Sequence, residues 1–389
     1  MRIPDLEKIL SAMLKTYDGI SDLNFSVGHP LQVEDFGELK QVYVDPPIEA
    51  LTPFQTEQIA LTIMQGNRRL IYDFLTTGSC DCSYSLNDEA RFRISIFRQQ
   101  GNFSVVLRKL EARVPTIESL SLPTIFREVA KEKTGLVLVT GATGSGKTTT
   151  LAAILNEVND NLAVHVITLE DPIEFVHPKS KATFNQRELG QDFNNYPNGL
   201  RAALRQAPKV ILVGEMRDRA TVEIALMAAE TGHLVLSTLH TIDAGQAINR
   251  ILGLFSLGEE KQLRIRLADT LRYVISQRLV PRVSGGRQLL TEILGHNLRT
   301  RETVELGEGE HRSFYEIIEA SSPFGWMTFD QSILNAYESG SISEETAKLY
   351  ASKKGRVTRG IDLIQKVRGL ESELDSGLRL DLPTANAFH

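Results

Sequence analysis

Four short apolar segments constrain the fold of this chain more than any other feature. They occupy residues 135–140, 163–169, 209–213 and 233–238, and each is nearly continuous in aliphatic residues. Stretches with helical periodicity separate them. Strands that are buried on both faces of a parallel sheet have this composition, because helices cover the sheet on each side. We therefore predict an α/β domain built on a parallel sheet.

A glycine-rich loop follows the first of these segments. Residues 141–148, GATGSGKT, match the phosphate-binding pattern G-x-x-x-x-G-K-[ST] in full. The glycines allow backbone N–H groups to turn toward phosphate oxygens, and the start of the next helix favours negative charge. Lys147 can reach the β- and γ-phosphates, and Thr148 can bind Mg²⁺. The loop therefore predicts a site for a nucleoside triphosphate and magnesium.

Acidic residues follow the second and third apolar segments. Glu170 ends the run VITLE, and Glu215 follows VILVG. Ligands of open α/β sheets lie at the carboxyl ends of the strands, so both carboxylates are candidates for binding the metal or orienting the attacking water. Asp171 has two interpretations, a site residue or a brace for the turn at Pro172.

Two histidines, His233 and His240, bracket the fourth segment. Seven residues apart across one strand, they cannot share a metal ion through this segment alone. A histidine in such a position is most often structural. The functional alternative is a sensor of the γ-phosphate.

Composition excludes several classes of protein. The 43 Lys and Arg against 49 Asp and Glu give a net charge of −6, which is unlike the basic field of a non-specific nucleic-acid binder. The two cysteines, Cys80 and Cys82, are expected to be free thiols, since disulfide frameworks are rich in cysteine. No apolar run reaches the ~18 residues of a membrane span, and the first residues lack the apolar core of a signal peptide. We expect a soluble, cytoplasmic protein.

The remaining sequence predicts further parts around the sheet. An amphipathic helix at 6–17, a helix from Thr52 to about Gln65 and strands near 22–27, 39–44, 82–86, 91–98 and 103–110 indicate an α+β domain. A segment with two prolines, 111–123, is interpreted as a linker. From about Leu263 the pattern is mostly helical to Gly369, and the polar residues 370–389 are expected to form a disordered tail.

Four motifs in series resemble those of a known superfamily. GATGSGKTT, LEDPIEFVH, GEMRD and TGHLVLSTLHT are similar to the Walker A, Asp box, Walker B and His box of the secretion-type hexameric ATPases. Within that superfamily the chain most resembles the PilT-like type IV pilus retraction ATPases. Weaker similarities at 22–24, 91–93, 121–123 and 325–330 extend the resemblance over roughly residues 6–364.

The resemblance implies an architecture and a set of site residues. It implies a PAS-like α+β domain at 1–110, the linker at 111–123, a RecA-like ATPase core at 124–262 and a helical part of the same domain at 263–369. Glu170 would be the general base and Glu215 a magnesium ligand together with Thr148, while His233 and His240 would sense the γ-phosphate. Four arginines would act as arginine fingers: Arg91, Arg93, Arg98 and Arg108. The phosphate cradle would comprise Gly141, Thr143, Gly144, Ser145, Gly146, Lys147, Thr148 and Thr149.

The resemblance also implies cofactors and partners. ATP and Mg²⁺ would be bound by a homohexamer that works on a pilus platform protein at the cytoplasmic face of the inner membrane, and no direct contact with nucleic acid is expected. The function implied is hydrolysis of ATP to drive pilus retraction and twitching motility.

Departures from the family pattern leave alternatives open. Residues 207–209 are APK where the family often has D-P-D, the turn at 34–37 is EDFG instead of R-x-D-G, and residues 298–304 replace the A-I-R-N-L-I segment linked with retraction. The alternatives are an accessory PilU-like paralogue or a motor of a type II or type IVB secretion or conjugation system. Two cysteines cannot supply the tetracysteine metal insert common in type II motors. A scaffold that binds ATP without turnover is disfavoured by Glu170 and Glu215, and a nucleic-acid translocase by the acidic charge.

Overall fold

The computed structural model describes residues 2–45, 47–87, 89–110, 113–310 and 312–368. The chain divides into two compact units. The first comprises Met1–Leu122, Phe126–Thr134 and Thr148–Ser237, and the second comprises Pro123–Ile125, Gly135–Lys147 and Thr238–His389. Within the described part of the chain, every helix is too short or too polar to cross a membrane.

The first unit opens with a six-stranded antiparallel sheet. Its strands pair in the order β3-β2-β1-β6-β5-β4. The strands are β1 (Ile20–Phe25), β2 (Gln32–Asp35), β3 (Glu38–Gln41), β4 (Ser79–Leu86), β5 (Ala90–Gln99) and β6 (Asn102–Lys109).

Three helices cover one face of this sheet: α1 (Ile3–Leu14), α2 (Pro53–Met64) and α3 (Arg68–Thr77). Thr52 caps α2 by accepting from the Gln55 backbone N–H, and Pro53 occupies the first turn, where a missing N–H costs nothing. On β5, Phe92 and Ile94 alternate with the arginines and are fully buried with Leu107 of β6. This alternation assigns one face of the sheet to the core and leaves the arginine face polar.

The first unit also contains four parallel strands in the order β11-β10-β8-β9. They are β8 (His165–Glu170), β9 (Thr183–Glu188), β10 (Val210–Val213) and β11 (Leu234–Leu239), the last of which runs on into the second unit. The accompanying helices are α4 (Ile125–Lys131), α5 (Lys147–Asn161), α6 (Tyr196–Ala203) and α7 (Arg219–Glu230). Strands β8 and β10 are buried almost throughout, as a doubly covered sheet requires.

In the second unit, β12 (Leu271–Pro281) pairs in parallel with β7 (Gly135–Gly141) and antiparallel with β13 (Arg287–Gly295). The helices of this unit are α8 (Ala244–Leu252), α9 (Glu260–Thr270), α10 (Leu298–Leu306), α11 (Phe314–Ala320), α12 (Phe329–Glu338), α13 (Glu344–Tyr350) and α14 (Lys354–Val367), with a 3₁₀ turn at Ser322–Phe324. A core cluster that includes Phe329 and Ile333 of α12 packs α12, α13 and α14 against β12 and β13.

The structure confirms the α/β fold class and most of the predicted elements. The four apolar segments form β7, β8, β10 and β11, and the two cysteines are buried free thiols on β4. Strands β2 and β9 and helix α3 were not predicted. Strand β9 is mostly polar and half-exposed, so its sequence lacks an apolar signal.

The prediction of a mostly helical segment after Leu263 is correct for its helices and wrong for Leu271–Pro281 and Arg287–Gly295, which form β12 and β13. Strand β12 is paired on both edges and buried at its centre, so Leu271–Pro281 does not show the strict alternation that marks a half-buried strand. The predicted tail at 370–389 and the first two linker positions, 111–112, lie outside the described residues.

Candidate functional site

The phosphate loop of the second unit connects the end of β7 to the start of α5. Gly144 has φ of +76°, a conformation in which a side chain would be strained. At Gly141 a β-carbon would lie 2.5 Å from the Ser145 hydroxyl and 2.6 Å from the Gln277 carbonyl. Any residue other than glycine at these two positions would therefore strain the loop.

Two side chains inside the loop are suited to an anionic ligand. The Lys147 ammonium donates to the carbonyls of Gly141 at 2.9 Å and Ala142 at 3.0 Å, and only 9% of the residue is exposed. The Ser145 hydroxyl is buried without a hydrogen-bond partner among the described residues. An unsatisfied buried hydroxyl beside a held ammonium fits phosphate oxygens, because both groups gain partners when an anion enters.

In the first unit, Glu170 ends β8 and Glu215 follows the neighbouring strand β10. Leu169 of β8 is the register partner of Val213 of β10, so Glu170 and the Gly214–Glu215 turn continue from the same edge of the sheet. Glu215 pairs with Arg217 at 2.8 Å. The prediction that these two carboxylates would lie at carboxyl ends of parallel strands is confirmed in position.

The Glu170 carboxylate is buried and held by two neutral donors. The Thr168 hydroxyl donates to it at 2.5 Å and the Gln186 amide at 3.1 Å. Burial raises the pKa of Glu170 to about 7, against the lowering effect of these two hydrogen bonds. A carboxylate with a pKa near neutrality can accept a proton at the pH of the cell, which is the property that a general base requires.

Thr148, the first residue of the first unit after the phosphate loop, forms a side-chain hydrogen bond with Glu174. Burial raises the pKa of Glu174, while the charge of Arg93 and the Thr148 hydrogen bond lower it. No group of three or more His, Cys, Asp or Glu side chains in the described residues is arranged to hold a metal ion by itself. A hydroxyl and carboxylates are nevertheless the oxygen donors that suit Mg²⁺, which also takes ligands from substrate phosphates.

The arginines predicted as fingers lie on both faces of the N-terminal sheet. Arg93 and Arg108 are register partners on β5 and β6, and Arg91 shares their face. Arg91 forms an ion pair with Glu188 at 2.7 Å, and Arg108 pairs with Asp22 at 2.9 Å.

Arg98 has the opposite parity on β5 and lies over the Phe74 ring at 5.2 Å. Its partner is therefore the covering helix α3, and the structure separates it from the other three arginines.

The two histidines lie at opposite ends of β11. His233 precedes the strand, and its Nδ1 is 3.0 Å from the Ala228 carbonyl of α7. Because β11 runs parallel to β10, His233 is at the end of the strands away from Glu170 and Glu215. His240 follows the carboxyl end of the strand and is exposed.

Sequence reasoning did not identify Glu188. This residue ends β9 and is the register partner of Glu170 on β8, and only 4% of it is exposed. The signal that could have found it is the acid at the end of Thr183–Glu188, a segment whose polar residues hid the strand.

Comparison with known proteins relates this geometry to a family. The profile of the family described as type II/IV secretion system protein matches residues 80–322. The type IV pilus retraction ATPase PilT of Pseudomonas aeruginosa is 38% identical over 345 residues, which are 88% of this chain and 97% of that protein. The chain belongs to this family of secretion and pilus ATPases.

Two further members of the family show how far the similarity extends. The type IV pilus ATPase PilU of Pseudomonas aeruginosa is 36% identical over 372 residues, covering 95% of this chain and 94% of that protein. A crystal structure of the pilus retraction motor PilT with bound ADP superposes with a TM-score of 0.80 at 38% identity, covering 92% of this chain and 99% of that chain. The fold is therefore the RecA-like fold of a PilT-like ATPase.

Proposed function

We propose that this protein is an ATP-hydrolysing motor of type IV pilus machinery and drives pilus retraction. The observation that carries the proposal is the phosphate loop with the Lys147 ammonium hydrogen-bonded to two of its carbonyls, in a chain that matches a pilus retraction ATPase along nearly its full length. The reaction is the Mg²⁺-dependent hydrolysis of ATP to ADP and phosphate, coupled to movement of the protein.

The proposed nucleotide contacts come from the phosphate loop and the start of α5. Backbone N–H groups of the loop and the Lys147 ammonium bind phosphate oxygens, and Thr148 binds magnesium. The contributing residues are Gly141, Thr143, Gly144, Ser145, Gly146, Lys147, Thr148 and Thr149. Bound Mg²⁺ supplies positive charge to the phosphates, and Glu215 is its proposed carboxylate ligand.

The proposed general base is Glu170. Its raised pKa lets it take a proton from the attacking water near neutral pH, and Thr168 and Gln186 fix the orientation of the carboxylate. His240, at the carboxyl end of β11, is the proposed γ-phosphate sensor. His233 takes no role at the phosphates in this proposal, since its ring bonds to α7 at the other end of the strand.

The contacts of the four candidate arginines distinguish which of them can act as an arginine finger. Arg93 is exposed on the polar face of β5, which leaves its guanidinium accessible to a nucleotide. Arg91 and Arg108 are held in ion pairs, and Arg98 lies over Phe74, so each would have to leave its present partner to reach a phosphate. We propose Arg93 as the first residue to test for this role.

The proposed working assembly is a homohexamer on the cytoplasmic face of the inner membrane, where it acts on a platform protein of the pilus machine. We propose the domain limits 1–110 for the PAS-like domain and 124–369 for the ATPase domain, joined by the linker at 111–123. In this arrangement hydrolysis changes the position of the first domain and transmits force to the partner.

Deletion of the gene in its native host tests this function. The strain is complemented with the wild-type protein or with Lys147→Ala and scored for twitching and for pilus retraction in an optical trap. We expect loss of retraction that only the wild type restores. Normal retraction in the deletion strain would contradict the proposal.

The second candidate function is that of an accessory motor, which the 36% identity to PilU over 95% of this chain favours. The departure at 298–304, in helix α10, also bears on this choice. Under this alternative the deletion strain still retracts pilin fibres but with reduced force, and overproduction of a main retraction ATPase restores the force.

A further inference from the structure

The buried carboxylate of Glu188 joins the N-terminal sheet to the segment that carries Glu170. From the sheet, the Arg91 guanidinium lies 2.7 Å from Glu188 Oε2, and the Ser83 hydroxyl lies 2.7 and 2.9 Å from its two oxygens. From the other side, the Ile173 backbone N–H donates to Oε2 at 3.2 Å. The Gln191 amide completes the set at 2.8 Å.

These contacts fix the position of the segment that begins at Glu170. Ile173 lies three residues after Glu170, and Gln186, which donates to Glu170, also donates to the Phe175 carbonyl at 2.8 Å. The segment 170–175 is therefore fixed at both ends by side chains of β9. Since Ser83 and Arg91 bond to the same strand, the N-terminal sheet holds the segment as well.

Glu188 also controls the charge next to Glu170. The two residues are register partners on neighbouring parallel strands, where backbones lie about 4.8 Å apart and partner side chains share a face. An unpaired carboxylate at this position would repel a second one, and an unpaired guanidinium would attract it. In the structure the charge of Arg91 lowers the pKa of Glu170, and the ion pair with Glu188 holds Arg91 in this position.

We propose that Glu188 is a positioning residue for ATP hydrolysis: paired with Arg91, it anchors β5 to the segment that carries Glu170 and balances the charge beside it. The inference rests on the proposed role of Glu170 as the general base. Glu188 itself touches neither substrate nor water in this scheme. Movement of the N-terminal sheet would act on the base through this ion pair.

The pH profile of kcat separates this role from a structural one. The charged or titratable groups around Glu170 are Arg91 on β5, Glu188 on β9, Glu174 in the following segment and Tyr196 on α6. Glu188→Gln leaves Arg91 as an unbalanced positive charge, which lowers the pKa of Glu170. The acidic limb of the kcat profile, where activity rises as Glu170 ionises, should therefore move to lower pH. Arg91→Gln leaves Glu188 as an unbalanced negative charge, so the limb should move to higher pH.

The experiment measures kcat, KM and the acidic limb for the full-length protein with ATP and Mg²⁺. We expect opposite shifts of about one pH unit for the two variants and a return toward the wild-type limb in the double variant. For Glu188→Gln, kcat at pH 7.5 should fall about tenfold with KM changed less than twofold, because the base is displaced while the phosphate loop is intact.

Lys40→Gln is the matched control. It breaks the Lys40–Asp35 ion pair of 2.6 Å in the same N-terminal sheet, on strands β2 and β3 at its far edge, and should leave kcat and the limb unchanged. If Glu188→Gln fails to fold, Ser83→Ala removes a single hydrogen-bond donor to Glu188 and should lower kcat two- to threefold without changing KM.

Two different results would overturn the role of Glu170 and the role of Glu188. Wild-type turnover in Glu170→Gln would overturn the proposed base. If Glu170→Gln is inactive but the Glu188 and Arg91 variants keep the wild-type limb, or shift it in the same direction, then the role of Glu188 is overturned and the proposed function stands.

Discussion

The Thr168 hydroxyl donates to the Glu170 carboxylate over 2.5 Å from two residues earlier on the same strand. Residues two apart on a strand point to the same face, so the backbone of β8 alone brings the donor to the acceptor. The bond fixes the carboxylate while burial keeps its pKa near 7. One of the two hydrogen bonds that orient the proposed base therefore comes from its own strand, and the other comes from Gln186 on β9.

Replacement of the base should separate binding from hydrolysis. Glu170→Gln keeps an oxygen that can accept from Thr168 but cannot take a proton, so kcat should fall by about 100-fold or more while ATP affinity changes little. Calorimetric titration with a non-hydrolysable ATP analogue and a phosphate-release assay measure the two quantities. Glu223→Gln, on the exposed face of α7, is the control.

The wild-type kcat should rise with pH up to about 7 and then level off, because only the ionised carboxylate of Glu170 is active. A profile that is flat from pH 5.5 to 8 would argue against Glu170 as the base.

Loss of the loop ammonium should remove both binding and turnover. Lys147→Ala deletes the group that donates to the Gly141 and Ala142 carbonyls and that is proposed to bind phosphate, so kcat/KM should fall by about 100- to 1000-fold. Circular dichroism should show an unchanged fold. Lys131→Ala, an exposed lysine at the end of α4, should retain full activity. Turnover of Lys147→Ala at the wild-type rate would show that the phosphate site lies elsewhere.

The stability of the second unit should depend on pH through Glu292. This residue is 6% exposed, and its carboxylate accepts from the Ala244 backbone N–H at 3.0 Å. Burial raises its pKa to about 7 from an ordinary value of 4.5. Below 4.5 the carboxyl is neutral in both the folded and the unfolded chain, and its stabilising contribution is complete. As pH rises to 7 the unfolded chain ionises first, so this contribution is lost.

The size of that effect is about 3 kcal/mol of unfolding free energy, because each pKa unit corresponds to about 1.4 kcal/mol. Urea denaturation of the wild type and of Glu292→Gln at pH 5, 6, 7 and 8 measures it. The glutamine keeps an acceptor for Ala244 and should flatten the pH dependence, whereas Glu302→Gln, an exposed substitution, should not. Equal slopes in all three proteins would contradict the prediction.

Adding a methyl group at Gly295, the last residue of β13, should destabilise the protein. A β-carbon at Gly295 would overlap the Trp326 indole, which is 6% exposed. Gly295→Ala should therefore lower the unfolding free energy by about 1–3 kcal/mol. Trp326 is the single tryptophan of the chain, so its fluorescence follows the unfolding directly. Gly258→Ala, where a β-carbon meets nothing within 4 Å, should be neutral by the same measurement.

The parts of the site that the sequence could predict are those made by one segment. The phosphate loop and Glu215 follow apolar strands and Glu170 ends one, so periodicity together with the glycine pattern is enough to place them. Glu188 could not be predicted as a site residue, because its strand is polar and its hydrogen-bond partners include Ser83 and Arg91, which are far away in the sequence. The position of His233 depends on a bond to the carbonyl of Ala228, which no local pattern announces.

Apolar and arginine residues alternate along strand β5, so the number of residues before the strand decides which of them face the core. Phe92 and Ile94 face the core, and Arg91 and Arg93 face the opposite side, where Arg91 pairs with Glu188. Insertion or deletion of one residue before this strand would exchange the faces, burying two guanidinium groups and exposing two apolar side chains. Chains that diverge from this one can therefore exchange amino acids in the β4–β5 hairpin far more readily than they can change its length.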